Sequence, residues 1–160
     1  FQPYHHNVSY PEWNYDTVPC FNDYRDKLFK AQQVVGGRGL LCNFLENHDE
    51  QRIASDYFAG NGSKAIPAMI VSACMNTNPV MIYFGQELGE HGMDTEGFSG
   101  RDGRTTIFDY WSVDSIRRWR NGGKFDNKFL NEDEKQLKQF YTRLLNICNS
   151  EKAIREGVFF

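Results

Sequence analysis

The sequence predicts an α/β fold with a parallel sheet, and two observations support this fold class. Two short apolar runs, residues 39–45 and 79–84, are nearly free of polar residues, as in strands that are buried on both faces. Segments with helical spacing of apolar residues precede, separate and follow these runs. Because the order helix, strand, helix, strand, helix implies right-handed crossovers, we expect the strands to be parallel.

The first part of the chain is predicted to hold a loop and then a helix. Residues 1–21 are rich in aromatic residues, Pro and Asn without a clear period, which indicates a loop with a short strand near residues 7–10. Asn22 or Asp23 is the expected N-cap of the first helix, which ends at the two glycines after Val35. The first apolar run follows this helix directly.

Three more helices are expected after the first strand. Asn61 or Ser63 caps the helix that leads to the second strand, and Pro67 is tolerated there because it lies near the first turn. A short helix is expected at residues 113–120. The last helix begins with a capping box at residues 131–134. Its apolar face consists of Leu137, Phe140, Tyr141, Leu144, Leu145 and Cys148.

Composition and charge narrow the possible function classes. With 40% hydrophobic and 24% charged residues, the chain has the composition of an ordinary globular protein. A net charge of -3, without a run of Lys or Arg, gives no electrostatic basis for a nucleic-acid partner or an anionic membrane. No apolar run approaches the roughly 20 residues of a membrane span. The compartment stays undetermined, since a secreted, a periplasmic or a cytoplasmic protein would each fit.

The cysteines and the paired histidines do not predict a metal site. The four cysteines are widely spaced and form no C-x-x-C motif: Cys20, Cys42, Cys74 and Cys148. We expect Cys42 and Cys74 to be buried because they lie in apolar runs. His5 and His6 are adjacent, and adjacent side chains on an extended segment point in opposite directions. Neither a zinc site nor a disulfide framework follows from these positions.

Both predicted strands end in polar clusters, FLENHDEQR at residues 44–52 and YFGQELGEHG at residues 83–92. Sites in parallel α/β folds form beyond the carboxyl ends of the strands. Residues 86–110 make a connection long enough to line such a site. On the residues alone, Asp49 could simply cap a turn, Glu46 and Glu50 could be solvated, and Arg52 could pair with either glutamate.

The combination of segments is more specific than any one of them. FLENHDEQR resembles the fourth signature region of the α-amylase superfamily, which has N-H-D after the seventh strand of its barrel. PVMIYFGQE, residues 79–87, resembles the eighth strand of that family, and residues 97–111 resemble the loop that follows it. Two departures concern this strand: Asn78 replaces a common Gly, and the run before Gly85 is one residue longer than usual.

The resemblance implies a fold larger than the chain can form by itself. Residues 1–160 would be the C-terminal part of a (β/α)₈ TIM barrel, with two or three parallel strands from about the sixth to the eighth strand-and-helix unit. A complete barrel of this type needs about 250 residues. The resemblance also leaves open that the last few residues begin a following domain. The family's nucleophile and acid-base carboxylates lie upstream, after the fourth and fifth strands, so we expect the isolated chain to be inactive.

The resemblance also implies roles for particular residues. Asp49 would be the carboxylate that stabilises the oxocarbenium-like transition state without forming the covalent bond. His48 would donate to hydroxyls of the same sugar. Asn47 is a candidate for substrate binding that, like Arg52, is also placed to hold the loop in shape. Glu87 would anchor the base of the loop that follows the eighth strand.

Asp102 and Arg104 are the remaining candidates for substrate contact. They would bind neighbouring sugars, although a structural salt bridge between them explains the pattern equally well. The family's calcium ligands lie mostly elsewhere, so we expect no cofactor in this chain, while calcium remains possible in the parent protein.

The predicted function is that of a retaining, α-glucan-active glycoside hydrolase that cleaves α-1,4-glucosidic bonds of starch or maltooligosaccharides. Three alternatives stay open: a transglycosylase of the same family, an inactive binding or scaffold barrel, and an independent interaction module. The upstream sequence would decide between an enzyme and a scaffold, because an enzyme needs the other two carboxylates. Since a cut barrel exposes sheet edges, we also expect the 160-residue chain to self-associate.

Overall fold

The computed structural model describes residues 18–36, 39–93, 101–105 and 113–158. The described residues up to Cys42 fall in one compact unit, and those from Asn43 onward fall in a second. The strand predicted near residues 7–10 lies outside the described residues. None of the helices in these ranges is both long and apolar enough to cross a lipid bilayer.

The first unit contains helix α1 (Val18–Val35). The helix begins four residues before the predicted cap Asn22, so the prediction of a loop up to residue 21 is wrong for its last turn. Pro19 is compatible with this start, because a first-turn N–H has no partner within the helix and Pro lacks that group. Gly36 follows the helix with φ +61°, a left-handed conformation that glycine adopts without a Cβ clash.

The second unit is built on a parallel pair of strands, β1 (Asn43–Phe44) and β2 (Val80–Met81). Asn43 pairs with Val80 and Phe44 with Met81, which confirms the predicted parallel arrangement. Both strands are shorter than their apolar runs. In the described part of the chain each strand has a single strand neighbour. Both residues of β2 are half-buried, so the expectation of burial on both faces is wrong for β2.

Most of the regular secondary structure of the second unit is helical. Asn61 caps the 3₁₀ turn at Gly62–Ala65 through its side-chain oxygen, which accepts from the Ser63 N–H at 2.7 Å. The α-helix that follows begins at Ile66, after Ala65, and has no side-chain cap, so neither Asn61 nor Ser63 caps it directly. The short helix at Lys152–Glu156 was not predicted. The remaining elements are 3₁₀ turns at Gly62–Ala65, Gln86–Leu88 and Asn121–Gly123, and helices α2 (Ile66–Cys74), α3 (Asp114–Arg120), α4 (Glu132–Ser150) and α5 (Lys152–Glu156).

The predicted capping box of α4 is present, and its Glu134 also pairs with a residue of α3. The Asn131 side chain accepts from the Glu134 N–H at 2.9 Å, and the Glu134 carboxylate accepts from the Asn131 N–H at 2.8 Å. The Arg118 guanidinium donates to both Glu134 oxygens at 2.6 Å. This bidentate pair fixes the C-terminal half of α3 against the start of α4.

The core lies between α2, α4 and the residues that follow β1. Its buried members are Leu45, Ile53, Ala65, Met69, Ala73, Leu137, Tyr141 and Leu144. Gly62 permits a close approach at its edge, because a Cβ there would lie 2.8 Å from the Gly89 Cα and 2.9 Å from the Leu137 side chain. The 3₁₀ turns before α2 and after β2 therefore meet over α4.

The prediction that Cys42 is buried is wrong, since its side chain is exposed, and Cys74 is half-buried. Leu40, two positions before Cys42, is 63% exposed, and the strand begins only at Asn43, so the first residues of the apolar run are not part of β1. The apolar run alone therefore overestimates the length of this strand.

We expect Met69→Ala to lower the free energy of unfolding by about 2–5 kcal/mol, because the Met69 side chain is fully buried in the core and its loss leaves a cavity. Urea unfolding followed by circular dichroism measures this change. The matched control is Ile70→Ala on the same helix, where the side chain is 42% exposed and the expected loss is below about 1 kcal/mol. Equal losses for both variants would contradict this description of the core.

Candidate functional site

The carboxyl ends of β1 and β2 lie at one edge of the sheet, and the two polar clusters meet there. A buried ion pair joins them. The Arg52 guanidinium, fully buried, donates to the Glu46 carboxylate at 2.8 Å and to the Phe84 carbonyl at 2.6 Å. Glu46 follows β1 and Phe84 follows β2, so this one side chain ties the two strand ends together.

The Arg52 side chain also holds the segment at residues 101–105. Its Nε donates to the Thr105 hydroxyl at 3.0 Å, and its backbone N–H donates to the Gly103 carbonyl at 2.6 Å. The guanidinium lies 4.3 Å from the centre of the Tyr83 ring, whose hydroxyl donates to the Thr105 carbonyl at 2.9 Å. A guanidinium has five N–H donors on three nitrogens, so it can bond several segments at once. A Lys ammonium is a single point charge and could not reach all of these acceptors.

The Glu46 carboxylate is only 2% exposed, so the alternative in which it is solvated is wrong. Burial raises the pKa of Glu46 above its ordinary value, while the Arg52 charge, the hydrogen bond from Arg52 and the Ile53 N–H lower it. The Ile53 N–H donates to Oε1 at 2.8 Å and Arg52 to Oε2, so both oxygens have partners. The sequence left both Glu46 and Glu50 as possible partners of Arg52, and the buried one, Glu46, forms the ion pair.

Asn47 shapes the turn that carries the N-H-D sequence. Its side-chain oxygen accepts from the Asp49 N–H at 2.8 Å and from the Glu50 N–H at 3.0 Å, and the residue is 8% exposed. An Asn side chain that bonds the backbone two residues later is a common turn-former. It fixes the backbone of Asp49 while its own amide is largely covered.

His48 and Asp49 face outward from this turn. Their side chains are 44% and 63% exposed, and the His48 Nε2 lies 3.5 Å from the Asp49 Oδ2. A ring nitrogen and a carboxylate side by side offer a donor and an acceptor to a ligand with neighbouring hydroxyls. These are the predicted catalytic and binding residues, and the fold presents both at the carboxyl edge of the strands.

Asp102 and Arg104 form an ion pair beside the same turn. The Asp102 carboxylate accepts from the Arg104 Nη2 at 2.7 Å and from its backbone N–H at 3.0 Å. The Gln51 side chain donates to the Asp102 carbonyl at 3.2 Å. Gly103 between them has φ +82°, and a Cβ there would lie 2.9 Å from Ser55 atoms. Glycine thus allows the segment to approach the N-H-D turn closely.

Glu87 and Glu90 have different surroundings after β2. Glu87 lines a groove of about 320 Å³ together with Lys138, and burial raises its pKa. Glu90, which sequence reasoning missed, accepts from the Gly92 N–H at 2.9 Å and from the Ser115 hydroxyl. Glu90 therefore anchors the following loop to α3, the task that the sequence suggested for Glu87.

The groove next to Glu87 is mostly apolar. Its lining residues are Ile82, Phe84, Glu87, Lys138, Tyr141, Thr142 and Leu145. His48 and Asp49 do not belong to it, so the sugar chemistry predicted for them would take place elsewhere. Within the described ranges, no three His, Cys, Asp or Glu side chains cluster as a metal site would require.

We expect Arg52→Met to lower the free energy of unfolding by about 3–5 kcal/mol, because it leaves the Glu46 carboxylate buried without its charged partner. A double-mutant cycle with Glu46→Gln, measured by urea unfolding, should give less loss for the double variant than for the sum of the singles. The control is Arg155→Ala, at an ion pair with both side chains 52% exposed, with a loss within about 0.5 kcal/mol. A loss below about 1 kcal/mol for Arg52→Met would contradict its role as a junction.

Comparison with known proteins gives one family and one local likeness. The sequence model described as "Alpha amylase, catalytic domain" matches residues 1–157. Over 86 residues the chain is 28% identical to acetylglutamate kinase of Bacillus pumilus (strain SAFR-032), covering 54% of this chain and 32% of that protein. The chain thus spans about a third of that protein's length. No solved structure matches the chain.

The two comparisons differ in what they show about the family of the chain. The kinase likeness is low in identity and covers a minor part of that enzyme, so it does not define a family. The amylase match extends over nearly the whole chain and includes the N-H-D turn and both strands. It confirms the resemblance identified from the sequence. The chain belongs to the α-amylase catalytic-domain family, whose fold is a TIM barrel.

Proposed function

We propose that the parent protein is a retaining glycosidase that cleaves α-1,4-glucosidic bonds of starch or maltooligosaccharides, and that this chain supplies Asp49 to its active site. The observation that carries the proposal is the N-H-D turn at the carboxyl edge of two parallel strands, with an outward-facing Asp49. Catalytic groups of TIM barrels lie at this edge. The net charge of -3 without basic clusters also fits a neutral sugar substrate.

Asp49 would act by charge and hydrogen bonding rather than as the nucleophile. Retaining glycosidases pass through an oxocarbenium-like transition state, while two other carboxylates about 5 Å apart form and break the covalent bond. A third carboxylate that accepts hydrogen bonds from ring hydroxyls stabilises the positive charge as it develops. A bound sugar would cover the exposed Asp49 side chain and strengthen this interaction by removing water.

His48 and Asn47 would have distinct parts in this chemistry. The His48 ring beside Asp49 would donate to a hydroxyl of the same sugar, so that donor and acceptor bind neighbouring groups. Asn47 is largely buried and bonded to the backbone of the turn, which favours a positioning role over direct sugar contact. The ion pair of Asp102 and Arg104, held against Gln51, would contact neighbouring sugars at the rim.

A hydrolase and a transglycosylase would differ in the second step of the reaction. Both would use the same covalent glycosyl intermediate, which water or a second sugar then attacks. Asp49 stabilises the flanking transition states in either case, so the structure of its turn favours neither. In both cases the nucleophile and the acid-base group come from other parts of the parent, and the 160-residue chain should not hydrolyse a chromogenic maltooligosaccharide.

We expect Asp49→Asn in the complete parent protein to lower kcat by at least about 10³-fold, because the amide has no negative charge to stabilise the transition state. Calorimetric binding of a maltooligosaccharide should change little, since the amide can still form hydrogen bonds. Initial rates on a chromogenic maltooligosaccharide measure the first effect.

Glu50→Gln is the matched control for this variant. Its side chain is the next carboxylate along the chain, is half-buried, and has no role in the proposed chemistry, so kcat should remain near that of the unmodified enzyme. Near-normal turnover by Asp49→Asn would refute the assignment. Equal losses from both variants would indicate a disturbed turn instead of a missing charge.

We further expect the 160-residue chain to self-associate. In the described residues β2 has a strand neighbour on one side, and the apolar groove beside it is open to solvent. Size-exclusion chromatography with light scattering should show a rise in mean mass with concentration. A sharp monomer at millimolar concentration would contradict this expectation.

A further inference from the structure

Two cysteines that are far apart in the sequence are in contact in the second unit. Cys74 is the last residue of α2, and Cys148 lies in the last turn of α4, 74 positions later. Their sulfur atoms are 3.8 Å apart, and both cysteines are free thiols. A disulfide has a sulfur–sulfur distance of about 2.05 Å, so each sulfur needs to move by less than about 1 Å toward the other.

The surroundings of the pair hold the two thiols together without enclosing them in the core. Both side chains pack against the core cluster that joins α2 to α4. The Cys148 thiol also donates to the carbonyl of Ala73 at 3.6 Å, which orients it toward the end of α2. Both residues are half-buried, so neither is enclosed in the core. Burial, together with the neighbouring Cys74, raises the pKa of Cys148 to about 11, which keeps this thiol mostly protonated at neutral pH and slows its exchange there.

We propose that Cys74 and Cys148 are a covalent modification site: they form a reversible disulfide by exchange with a small-molecule disulfide such as oxidised glutathione. The bond links the end of α2 to the last turn of α4. It does not depend on the sugar chemistry proposed above, because neither cysteine lies in the polar clusters after the strands.

The exchange balances without any further reagent. The thiolate of one cysteine attacks a sulfur of the small disulfide, which forms a mixed disulfide and releases one small thiolate. The thiolate of the other cysteine then attacks the protein sulfur of that mixed disulfide and releases the second small thiolate. Two protein thiols lose two electrons and two protons, and one small disulfide becomes two thiols.

The cross-link is expected to stabilise the second unit. It closes a long loop, from residue 74 to residue 148, and the loss of chain entropy in the unfolded state increases with loop length. The two helices are already packed against each other, so the bond demands little rearrangement of the folded state. We expect the thermal unfolding midpoint to rise by about 5–15 °C on oxidation and to return on reduction.

The test uses the reduced 160-residue chain, incubated with oxidised glutathione at pH 8 and alkylated before proteolysis under non-reducing conditions. Mass spectrometry should find a peptide containing Cys74 joined to one containing Cys148, two hydrogens lighter than the sum of the two. Thermal unfolding of the same sample, with and without dithiothreitol, should show the shift of the midpoint.

Cys42→Ser is the matched control, because Cys42 is exposed and lies outside the pair. This variant should keep both the cross-linked peptide and the thermal shift, while Cys148→Ser should lose both. The proposal is overturned if unmodified, folded chain gives Cys74 and Cys148 only as separate alkylated or glutathionylated peptides. It is equally overturned if Cys74 or Cys148 is found joined mainly to Cys20 or Cys42. The mass measurement on the unmodified chain decides the matter even if a serine variant does not fold.

Discussion

The Arg52 guanidinium is the junction on which the arrangement of the candidate site depends. It is buried, and it bonds Glu46 after β1, the Phe84 carbonyl after β2 and the Thr105 hydroxyl. Taking a guanidinium out of water costs several kcal/mol unless its donors and the charge have partners. Here each partner comes from a different segment, so the charge is satisfied only when all three segments are in place. Arrangements in which one of these segments is displaced would leave the buried charge without a partner, so they are disfavoured.

This buried junction explains how the exposed side chains of the N-H-D turn can be carried on a fixed backbone. His48 and Asp49 have few contacts of their own, yet the backbone that carries them is fixed by Asn47 on one side and Arg52 on the other. An exposed carboxylate makes few contacts that could fix its own position before a substrate binds. Preorganisation therefore comes from residues that the substrate would not touch, which is how electrostatic stabilisation avoids rearrangement during reaction.

The features that could be predicted from the sequence are those set by residues close together in the chain or by the order of helices and strands. The features that could not be predicted depend on tertiary contacts. The capping box at Asn131 and the parallel pairing were predictable, because capping needs only four residues and apolar runs between helices imply crossovers. The choice of Glu46 over Glu50 as the partner of Arg52 was not, since both are near in sequence and only burial separates them. The contact of Cys74 with Cys148 was not predictable either, because the two residues are 74 positions apart and only tertiary packing brings them together.

The position of the two thiols relative to the strands argues that oxidation and sugar chemistry are separable. Cys74 ends the helix that leads into the amino end of β2, whereas Asp49 follows the carboxyl end of β1. The Asn43 side chain, at the amino end of β1, donates to the Ser72 carbonyl at 2.9 Å, which places the end of α2 at that edge. In a parallel pair these are opposite ends. A disulfide between α2 and α4 would therefore change the stability of the scaffold while it leaves the N-H-D turn and its Arg52 junction in place.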